Sequence, residues 1–238
     1  MAFDTAGPAA VRDYVRPEKL QPTMYELMGF DPALAIRAAA PTYPCVIDEL
    51  HELAAHFGIV NVPTAVWIDE EGHVVRPPEG PGVSDAFRSM NLATREVPER
   101  ENADRKLRRR IYMDALRDWI QNGAASRHVM ASDEVRREMR GTSERESRAT
   151  AHFQLGIWLA RRGARDAAQR ELEAAVRLQP ESWRFRRQKI VLSDPALVGK
   201  LAITPEFWQA VRALGTELYY PQPKMAGMPP PLPPGNPS

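Results

Sequence analysis

One stretch in the first half of the chain limits the possible folds more than any other. Residues 49–57 place leucine, alanine and phenylalanine side chains on one stripe of a helix, which Gly58 closes. Alternating apolar residues on either side of a Glu-Glu-Gly-His turn then predict a β-hairpin over residues 64–76. Pro77 and Pro78 are expected to end the hairpin. A helix followed by a hairpin excludes an all-helical fold for this part of the chain.

Most of the second half is expected to be helical. Apolar side chains recur on one face over residues 99–121. Ser143 and Glu146 have the spacing of a capping box, and Ser182 and Thr204 are expected to cap two later helices. This pattern predicts an all-α second part.

Charge and proline are distributed unevenly along the chain. The first 92 residues hold 6 basic against 13 acidic side chains, and the remaining residues hold 26 basic against 18 acidic side chains. The arginines of the second half are mixed with glutamates at helical spacing, which is typical of a solvated helix face. The charges of the basic run at 105–110 would surround Leu107 and Ile111 on a helix, which also favours a solvated face, so we expect no nucleic-acid partner. Residues 221–238 contain 8 of the 22 prolines. That composition predicts a disordered or polyproline II tail, and its Pro-Pro-Pro-Leu-Pro-Pro run is also of the kind that SH3-type grooves bind.

The sequence contains no stretch that approaches the roughly 18 apolar residues of a membrane span, so we expect no membrane partner. Its first residues show neither a basic region nor a long apolar run, and they predict no signal peptide. The protein is therefore expected to be cytoplasmic by default, or periplasmic if its natural start lies upstream of Met1.

The hairpin and the helix before it resemble part of a known family. Tyr-Pro-Cys-Val-Ile-Asp at 43–48, His-Phe-Gly-Ile at 56–59, Val-Pro-Thr at 62–64 and Trp-Ile-Asp at 67–69 resemble the later half of a thioredoxin-fold domain. The similarity is greatest to the bacterial TlpA/ResA-like, peroxiredoxin-related branch of that superfamily, and residues 2–5 resemble its preceding strand. The resemblance implies a partial thioredoxin-like fold and, in a complete family member, disulfide exchange or peroxide reduction.

The resemblance also implies a substrate-binding role for Val62, Pro63 and Thr64. In the family this proline follows a cis peptide bond and lies against the reactive cysteines, while the residue before it offers backbone groups to an extended substrate. We therefore expect the Val62–Pro63 bond to be cis, a form that costs an X–Pro pair only about 0.5–1 kcal/mol.

The sequence departs from the family at the reactive centre. The family's chemistry needs a Cys-x-x-Cys pair or a peroxidatic cysteine at the start of a helix, where the helix amides lower the pKa of the thiol. The chain has a single cysteine, Cys45, in the run that leads to the next helix. Cys45 is expected to be a small buried hydrophobe, with a separate redox role as the alternative. No catalytic residue is predicted, and the chain is expected to be inactive alone.

Three explanations for the missing centre remain open. The natural protein starts upstream of Met1; or an internal stop, including a UGA codon read as selenocysteine, divides its reading frame; or the half domain is kept without catalysis. The codons upstream of Met1 distinguish the three.

A second resemblance lies in residues 149–182, where small and apolar residues stand at the spacing of a tetratricopeptide repeat. The residues that carry it are Leu155, Gly156, Gly163, Ala168, Leu172, Ala175 and Pro180. Gly156 and Ala168 are small enough for two antiparallel helices to approach closely. The side chains expected to fill the seam are Leu155, Leu159, Leu172 and Val176. A plain helical hairpin in a small bundle is the alternative.

By analogy with that repeat, Phe153, Ile157 and Arg161 are expected to face a groove that binds a partner peptide. The tryptophans of the helical part are expected to pack in helix seams: Trp119, Trp158, Trp183 and Trp208.

No metal or cofactor site is predicted. His51 and His56 stand at an i, i+5 offset, which places them on different helix faces. Asp48 is expected to cap backbone amides. The sequence contains no glycine-rich phosphate loop and no Ser/His/Asp elbow.

The sequence thus predicts an α/β partial thioredoxin-like domain over residues 1–82, a linker over 83–97, an all-α TPR-like helical domain over 98–220 and the tail over 221–238. The first functional hypothesis is a thiol-disulfide redox protein of the thioredoxin-like superfamily, present here without its reactive cysteines. The alternative is a non-enzymatic interaction module of the TPR type. Either function implies a protein or peptide partner.

Overall fold

The computed structural model describes residue 48 and residues 51–139, 141–194 and 204–233. Within these residues the chain is mostly helical and has one two-stranded antiparallel sheet, so the expected mixture of helix and strand is confirmed. The elements are α1 (Glu52–His56), β1 (Ala65–Ile68), β2 (Val74–Glu79), α2 (Glu99–Asn122), α3 (Ser132–Glu138), α4 (Glu144–Arg161), α5 (Arg165–Leu178), α6 (Trp183–Ser193) and α7 (Pro205–Arg212). Short 3-10 helices span Asp85–Ser89 and Gly123–Ala125.

The helix predicted over residues 49–57 is present as α1, which spans Glu52–His56, and Asp48 caps it as expected. The two carboxylate oxygens of Asp48 accept hydrogen bonds from the amides of Leu53 at 3.2 Å and Ala54 at 2.9 Å. The strand expected at residues 2–5 and the single cysteine, Cys45, lie outside the residues that the structure describes.

The predicted β-hairpin is present and is longer than the sequence indicated. β1 and β2 pair antiparallel, with Trp67 opposite Arg76 and two irregularities in the register. The prolines were expected to end the hairpin, but β2 runs through Pro77 and Pro78 to Glu79. Both strands are edges within the described residues, and an edge strand tolerates proline wherever its N–H would not face a partner strand.

The chain divides into two compact units whose boundaries differ from the predicted ones. Unit 1 combines Met1–His56 with Ser143–Leu201, and unit 2 combines Phe57–Thr142 with Ala202–Ser238. The hairpin therefore does not belong to a separate domain that ends at residue 82. It shares a core with α2 and with the last part of the chain, because its apolar face is buried against them.

The core of unit 2 joins the hairpin to α2. Trp67 of β1 is buried with Tyr112 and Ala115 of α2 and with Met225. The Trp67 indole N–H donates to the Tyr112 hydroxyl at 2.7 Å, and the indole stacks on Trp119 with 5.0 Å between ring centroids. Burial raises the pKa of the Tyr112 phenol well above its ordinary value, because the phenolate would lose its hydration.

The segment predicted as a linker, residues 83–97, contains folded and buried structure. Ser84 caps the 3-10 helix Asp85–Ser89 by accepting from the Ala86 amide at 3.4 Å. Ala86 and Arg88 are both buried. Side chains of a linker would remain in solvent, so residues 84–89 are an integral part of unit 2, whereas residues 92–96 are exposed.

Residues 221–233 pack against the rest of unit 2, which corrects the prediction of a disordered tail. They form neither helix nor strand, but Met225 is buried in the core. The carbonyl oxygens of Lys224, Pro229 and Pro230 accept hydrogen bonds from buried arginines. Composition was misleading here because a proline-rich segment keeps its carbonyl acceptors, and side chains far away in the sequence can bind them.

The caps of the later helices are the predicted ones. The Ser143 hydroxyl accepts from the Glu146 amide at 3.2 Å, and the Glu146 carboxylate accepts from the Ser143 amide at 2.8 Å, which completes a capping box at α4. Ser182 caps α6 by accepting from the Phe185 amide at 3.4 Å. In unit 2, Thr204 caps α7 in the same way.

In unit 1, α4 and α5 form a helical hairpin that turns at Gly163, where φ is 76°. The two helices approach closely at Gly156, as predicted. A β-carbon at that position would lie 2.9 Å from Cγ of Leu172 and 3.2 Å from the carbonyl oxygen of Ala168. The buried cluster around this contact consists of Ala149, Phe153, Ile157, Leu172, Ala175 and Phe185.

Candidate functional site

The predicted substrate-binding residues Val62, Pro63 and Thr64 form the loop that leads into β1. The Val62–Pro63 bond is cis, as predicted. The side-chain oxygen of Asn61 accepts from the Val62 amide at 2.9 Å, and the Asn61 backbone carbonyl accepts from the Thr64 hydroxyl at 2.6 Å. The Asn61 side chain also donates to the Tyr219 carbonyl at 2.9 Å. Asn61 thus fixes the backbone of a loop whose Val62 and Pro63 side chains are exposed.

The predicted partner-binding residues of α4 do not line an open groove. Phe153 and Ile157 are 0% and 2% exposed and belong to the core of unit 1. Arg161, the last residue of α4, is half-buried. The stripe expected to face a partner is therefore mostly the stripe that faces the unit's own core. Apolar residues occur all round this helix, so periodicity alone could not select the buried face.

The opposite face of α4 carries side chains that were expected to be buried. Leu155 and Trp158 are 44% and 48% exposed, so the prediction that they fill helix seams is wrong. The guanidinium of Arg162 lies over the Trp158 ring, 3.6 Å from its centroid, in a cation–π contact. Leu172 and Val176 do pack in the core of unit 1, as the seam prediction required.

A segment of the chain itself lies on the aromatic face of α4 and α6. The edge of the His51 ring meets Phe153 with 5.0 Å between centroids and an interplanar angle of 88°. Arg184 of α6 donates from Nη1 to the His51 carbonyl at 3.2 Å. The same guanidinium lies over the rings of Phe153 and Phe185, which stack on each other with 4.5 Å between centroids. His51 therefore covers the place where a partner peptide was expected.

His51 is unusual in both backbone and titration. Its φ is 56°, in the left-handed region that few residues other than glycine occupy. Burial, and then the positive charge of Arg184, lower the pKa of His51 to about 4, against an opposing effect of Asp48. Burial lowers the pKa of Arg184 to about 10, again opposed by Asp48. Left-handed backbone at residues other than glycine and shifted pKa values are each found more often at functional sites than elsewhere.

Sequence reasoning missed a set of buried arginines in unit 2. Arg76, Arg88 and Arg108 are at most 2% exposed. Each pairs with a carboxylate three or four residues away, and the partners are Glu79, Asp85 and Asp104 respectively. Arg108 belongs to the basic run that was assigned to a solvated helix face, so that assignment is wrong for this residue.

The remaining donors of these arginines bind backbone carbonyls far away in the sequence. Arg76 donates to Lys224, and Arg88 donates to Gly215 and Glu217. The spacing of arginine and acid does not reveal this, because the solvent-exposed pair Arg136–Asp133 has the same three-residue spacing. Only the carbonyl partners distinguish the buried pairs, and they are not local.

Ser126, His128 and Asp118 have the composition of a catalytic triad without its geometry. The Ser126 hydroxyl donates to the Asp118 carboxylate at 2.6 Å and accepts from the backbone amide of His128 at 3.1 Å. The imidazole is therefore not placed to act as the base for Ser126. Within the part of the chain that the structure describes, no group of histidine, cysteine, aspartate and glutamate side chains is arranged to hold a metal ion.

Comparison of the chain with known families, curated proteins and solved structures gives no match. None of the helices in the described part of the chain combines the length and hydrophobicity of a membrane span.

Proposed function

We propose that the chain is a non-enzymatic protein-interaction module, and that the face of α4 and α6 around Phe153 and Arg184 binds a peptide segment of a partner protein. The observation that carries the proposal is the segment of the chain that already lies on this face at His51. That segment contributes the edge of a ring and a backbone carbonyl. A peptide from another protein with a ring at the corresponding position would make the same contacts.

The helical hairpin supports a repeat of the tetratricopeptide type as the scaffold. The close approach of α4 and α5 at Gly156 and the turn at Gly163 have the form that the resemblance implies. Phe153 was expected to face the partner peptide, and it is the residue on which the covering segment lies.

The free energies of the two contacts that His51 makes, its ring contact with Phe153 and its hydrogen bond from Arg184, indicate how binding would be regulated. An aromatic pair contributes about 0.5–1.5 kcal/mol and a hydrogen bond from a charged donor about 1.5–3 kcal/mol. Their sum of about 2–4.5 kcal/mol corresponds to a dissociation constant of about 0.5–30 mM, so these two contacts alone hold only a segment that is tethered to the site. A partner in trans must therefore add apolar contacts to displace the covering segment.

Peptide binding to the full chain tests the proposal. A peptide of residues 46–58 is titrated, with two-dimensional NMR as the readout, into the natural chain and into an Asp48→Ala/His51→Ala variant. In that variant the covering segment has lost its helix cap and its ring. We expect the variant to bind the peptide about tenfold more tightly than the natural chain, because the tethered competitor is weakened.

A matched pair of arginine substitutions provides the control. When Arg184→Ala is added to the Asp48→Ala/His51→Ala variant, peptide binding is expected to weaken about tenfold, because the hydrogen bond from the Arg184 guanidinium to the peptide is lost. Arg177→Ala, at an exposed position of α5, is expected to leave binding unchanged. Circular dichroism establishes that each variant is folded. A folded double variant whose α4 and α6 resonances do not respond to the peptide contradicts the proposal.

A second function, disulfide exchange or peroxide reduction in a longer thioredoxin-like protein, is favoured by the order of elements along the chain. α1, the loop Val62–Thr64 and the antiparallel hairpin follow one another as that resemblance implies. In this candidate the loop binds an extended substrate. This candidate requires reactive cysteines that the sequence does not supply, since Cys45 is its single cysteine.

Two measurements test the second candidate. Insulin reduction and peroxide consumption by this chain are expected to show no turnover above the background. When an extended disulfide-containing peptide is added, the amide resonances of Val62 and Thr64 are expected to shift. Turnover by the chain itself would refute the assignment of the reactive centre to another part of the protein, and unchanged resonances would remove the loop as a substrate site.

A further inference from the structure

Arg108 binds the proline-rich tail of unit 2 through most of its donors. Its side chain is completely buried. Nε donates to the Asp104 carboxylate at 2.7 Å, and Nη1 donates to the Gln222 side chain at 2.9 Å and to the Pro229 carbonyl at 3.0 Å. Nη2 donates to the Pro230 carbonyl at 2.6 Å. One guanidinium thus holds the carbonyls of two consecutive prolines.

Apolar contacts accompany these hydrogen bonds. Met225 is buried against Trp67, Tyr112 and Ala115, and Met228 packs at the edge of the same cluster. The Met228 amide donates to the Met225 carbonyl at 3.1 Å, which closes a tight turn between the two methionines. The tail is therefore anchored by side chains immediately before the residues that Arg108 binds.

Consecutive prolines suit such a surface for a physical reason. Proline fixes φ and lacks an N–H, so a run of prolines is extended before it binds, and its carbonyls have no partner within the run. Aromatic side chains beside a polar group that fixes the orientation are the features with which protein grooves bind polyproline segments. Arg108 supplies the polar group, and Trp67 and Tyr112 belong to the apolar cluster against which Met228 of the tail packs.

We propose that the surface formed by Arg108, Tyr112 and Trp67 is a receptor site for proline-rich segments of a partner protein. Residues 228–232 of the same chain occupy it at rest. The site lies in unit 2, and it does not depend on the peptide binding proposed for unit 1.

Two features favour a partner protein over a second copy as the source of the competing segment. The tail of a second copy is itself docked, and a tethered segment has an effective concentration of about 1 mM, so exchange between copies gains nothing. A cavity also remains beside residues 231–233, and Glu101 contributes to its lining. Glu101 forms no ion pair among the residues that the structure describes. A proline-rich segment with an arginine at this position would pair with Glu101, which the resting tail does not do.

A cleavable full-length chain tests the proposal. A protease recognition sequence is inserted between Ala226 and Gly227, which are both exposed, so that the folded chain can be cut with Met225 still in place. A labelled peptide of residues 227–236 is then titrated against the cut and the uncut chain by fluorescence anisotropy. We expect the uncut chain to bind the peptide at least about tenfold more weakly than the cut chain, because its tethered tail competes for the site.

Variants of protein and peptide define the chemistry. Arg108→Lys in the cut chain is expected to weaken binding about tenfold, because one ammonium cannot reproduce the planar fork that reaches both carbonyls. Arg109→Lys, exposed on the same helix, is the matched control. A peptide with arginine in place of Pro233 is expected to bind more tightly than the natural sequence, and Glu101→Gln is expected to remove that gain.

The peptide comparisons remain informative even if a protein variant fails to fold. Equal binding of the tail peptide and of a peptide with all prolines replaced by alanine overturns the proposal. Equal binding by the Arg108→Lys and Arg109→Lys chains overturns it as well. A peptide that gains nothing from arginine, or a tail-exchanged dimer of the uncut chain seen in sedimentation, overturns the assignment to a partner protein.

Discussion

Arg108 Nη2 donates to the carbonyl oxygen of Pro230 at 2.6 Å, across 122 residues of sequence. Arg108→Ala would leave the Asp104 carboxylate and two prolyl carbonyls without their donor. We expect the free energy of unfolding to fall by about 3–5 kcal/mol, as is found when one partner of a buried ion pair is removed. Urea denaturation followed by tryptophan fluorescence measures the loss. The exposed neighbour provides the control, since Arg109→Ala should change the value by less than about 0.5 kcal/mol.

Acid is expected to destabilise unit 1 through His51. Its pKa is about 4 in the folded chain, against an ordinary value of 6.5, so the unfolded chain takes up the proton first as the pH falls. The free energy of unfolding should therefore decrease between pH 6.5 and pH 4, by up to about 3 kcal/mol in all. Urea denaturation at pH 7 and at pH 5 measures the decrease.

The His51→Asn variant isolates this contribution. Asparagine tolerates a positive φ better than most residues and does not titrate. Asp48 and Arg184, the charged groups that act on the ring, remain in place. The variant should lose less stability between pH 7 and pH 5 than the natural chain. If both lose the same amount, His51 is not the titrating group.

Gly156→Ala is expected to destabilise unit 1 although alanine favours helices. The new β-carbon would lie 2.9 Å from Leu172 Cγ and 3.2 Å from the Ala168 carbonyl oxygen. Overpacking of this kind costs about 1–3 kcal/mol, more than the gain of about 1 kcal/mol in helix propensity. Thermal denaturation of the single variants and of Gly156→Ala/Leu172→Ala completes a double-mutant cycle. The two changes should compensate each other, and additive losses would argue against a steric contact.

Tyr112→Phe is expected to cost about 1–3 kcal/mol, because it leaves the buried Trp67 indole N–H without its acceptor. Trp67→Phe/Tyr112→Phe removes both polar partners together. Tyr112→Phe should therefore cost less stability in the Trp67→Phe chain than in the natural chain. Chemical denaturation of the four chains gives the coupling, and a coupling of zero would mean that the hydrogen bond contributes nothing.

Helix starts and the hairpin were predictable because their causes are local. Ser143 and Glu146 satisfy each other's backbone amides within one turn, and Ser182 and Thr204 do the same for single amides. No contact from elsewhere in the chain is needed to form such a cap. The turn residues of the hairpin act at the same short range, so both features follow from the sequence.

The buried face of α4 and the positions of the arginines were not predictable for a complementary reason. Phe153 and Leu155 are both apolar, and the contact with α5 at Gly156 decides which of them is buried. Arg108 stands in a run of cations, and only the carbonyls of the tail make its burial favourable. Both outcomes depend on tertiary partners that leave no periodic signal in the sequence.

The pairing of Arg108 with Pro230 also sets an order of events during synthesis. A ribosome adds about 5–20 residues per second, so the 122 residues between the two take about 6–24 s. Over that interval α2 has emerged with Trp67 and Tyr112, while Met225 and the prolyl carbonyls do not yet exist. The nascent chain therefore exposes an apolar surface and an uncovered cation to solvent and to chaperones. We therefore expect unit 2 to become resistant to proteases only after its tail has left the ribosome.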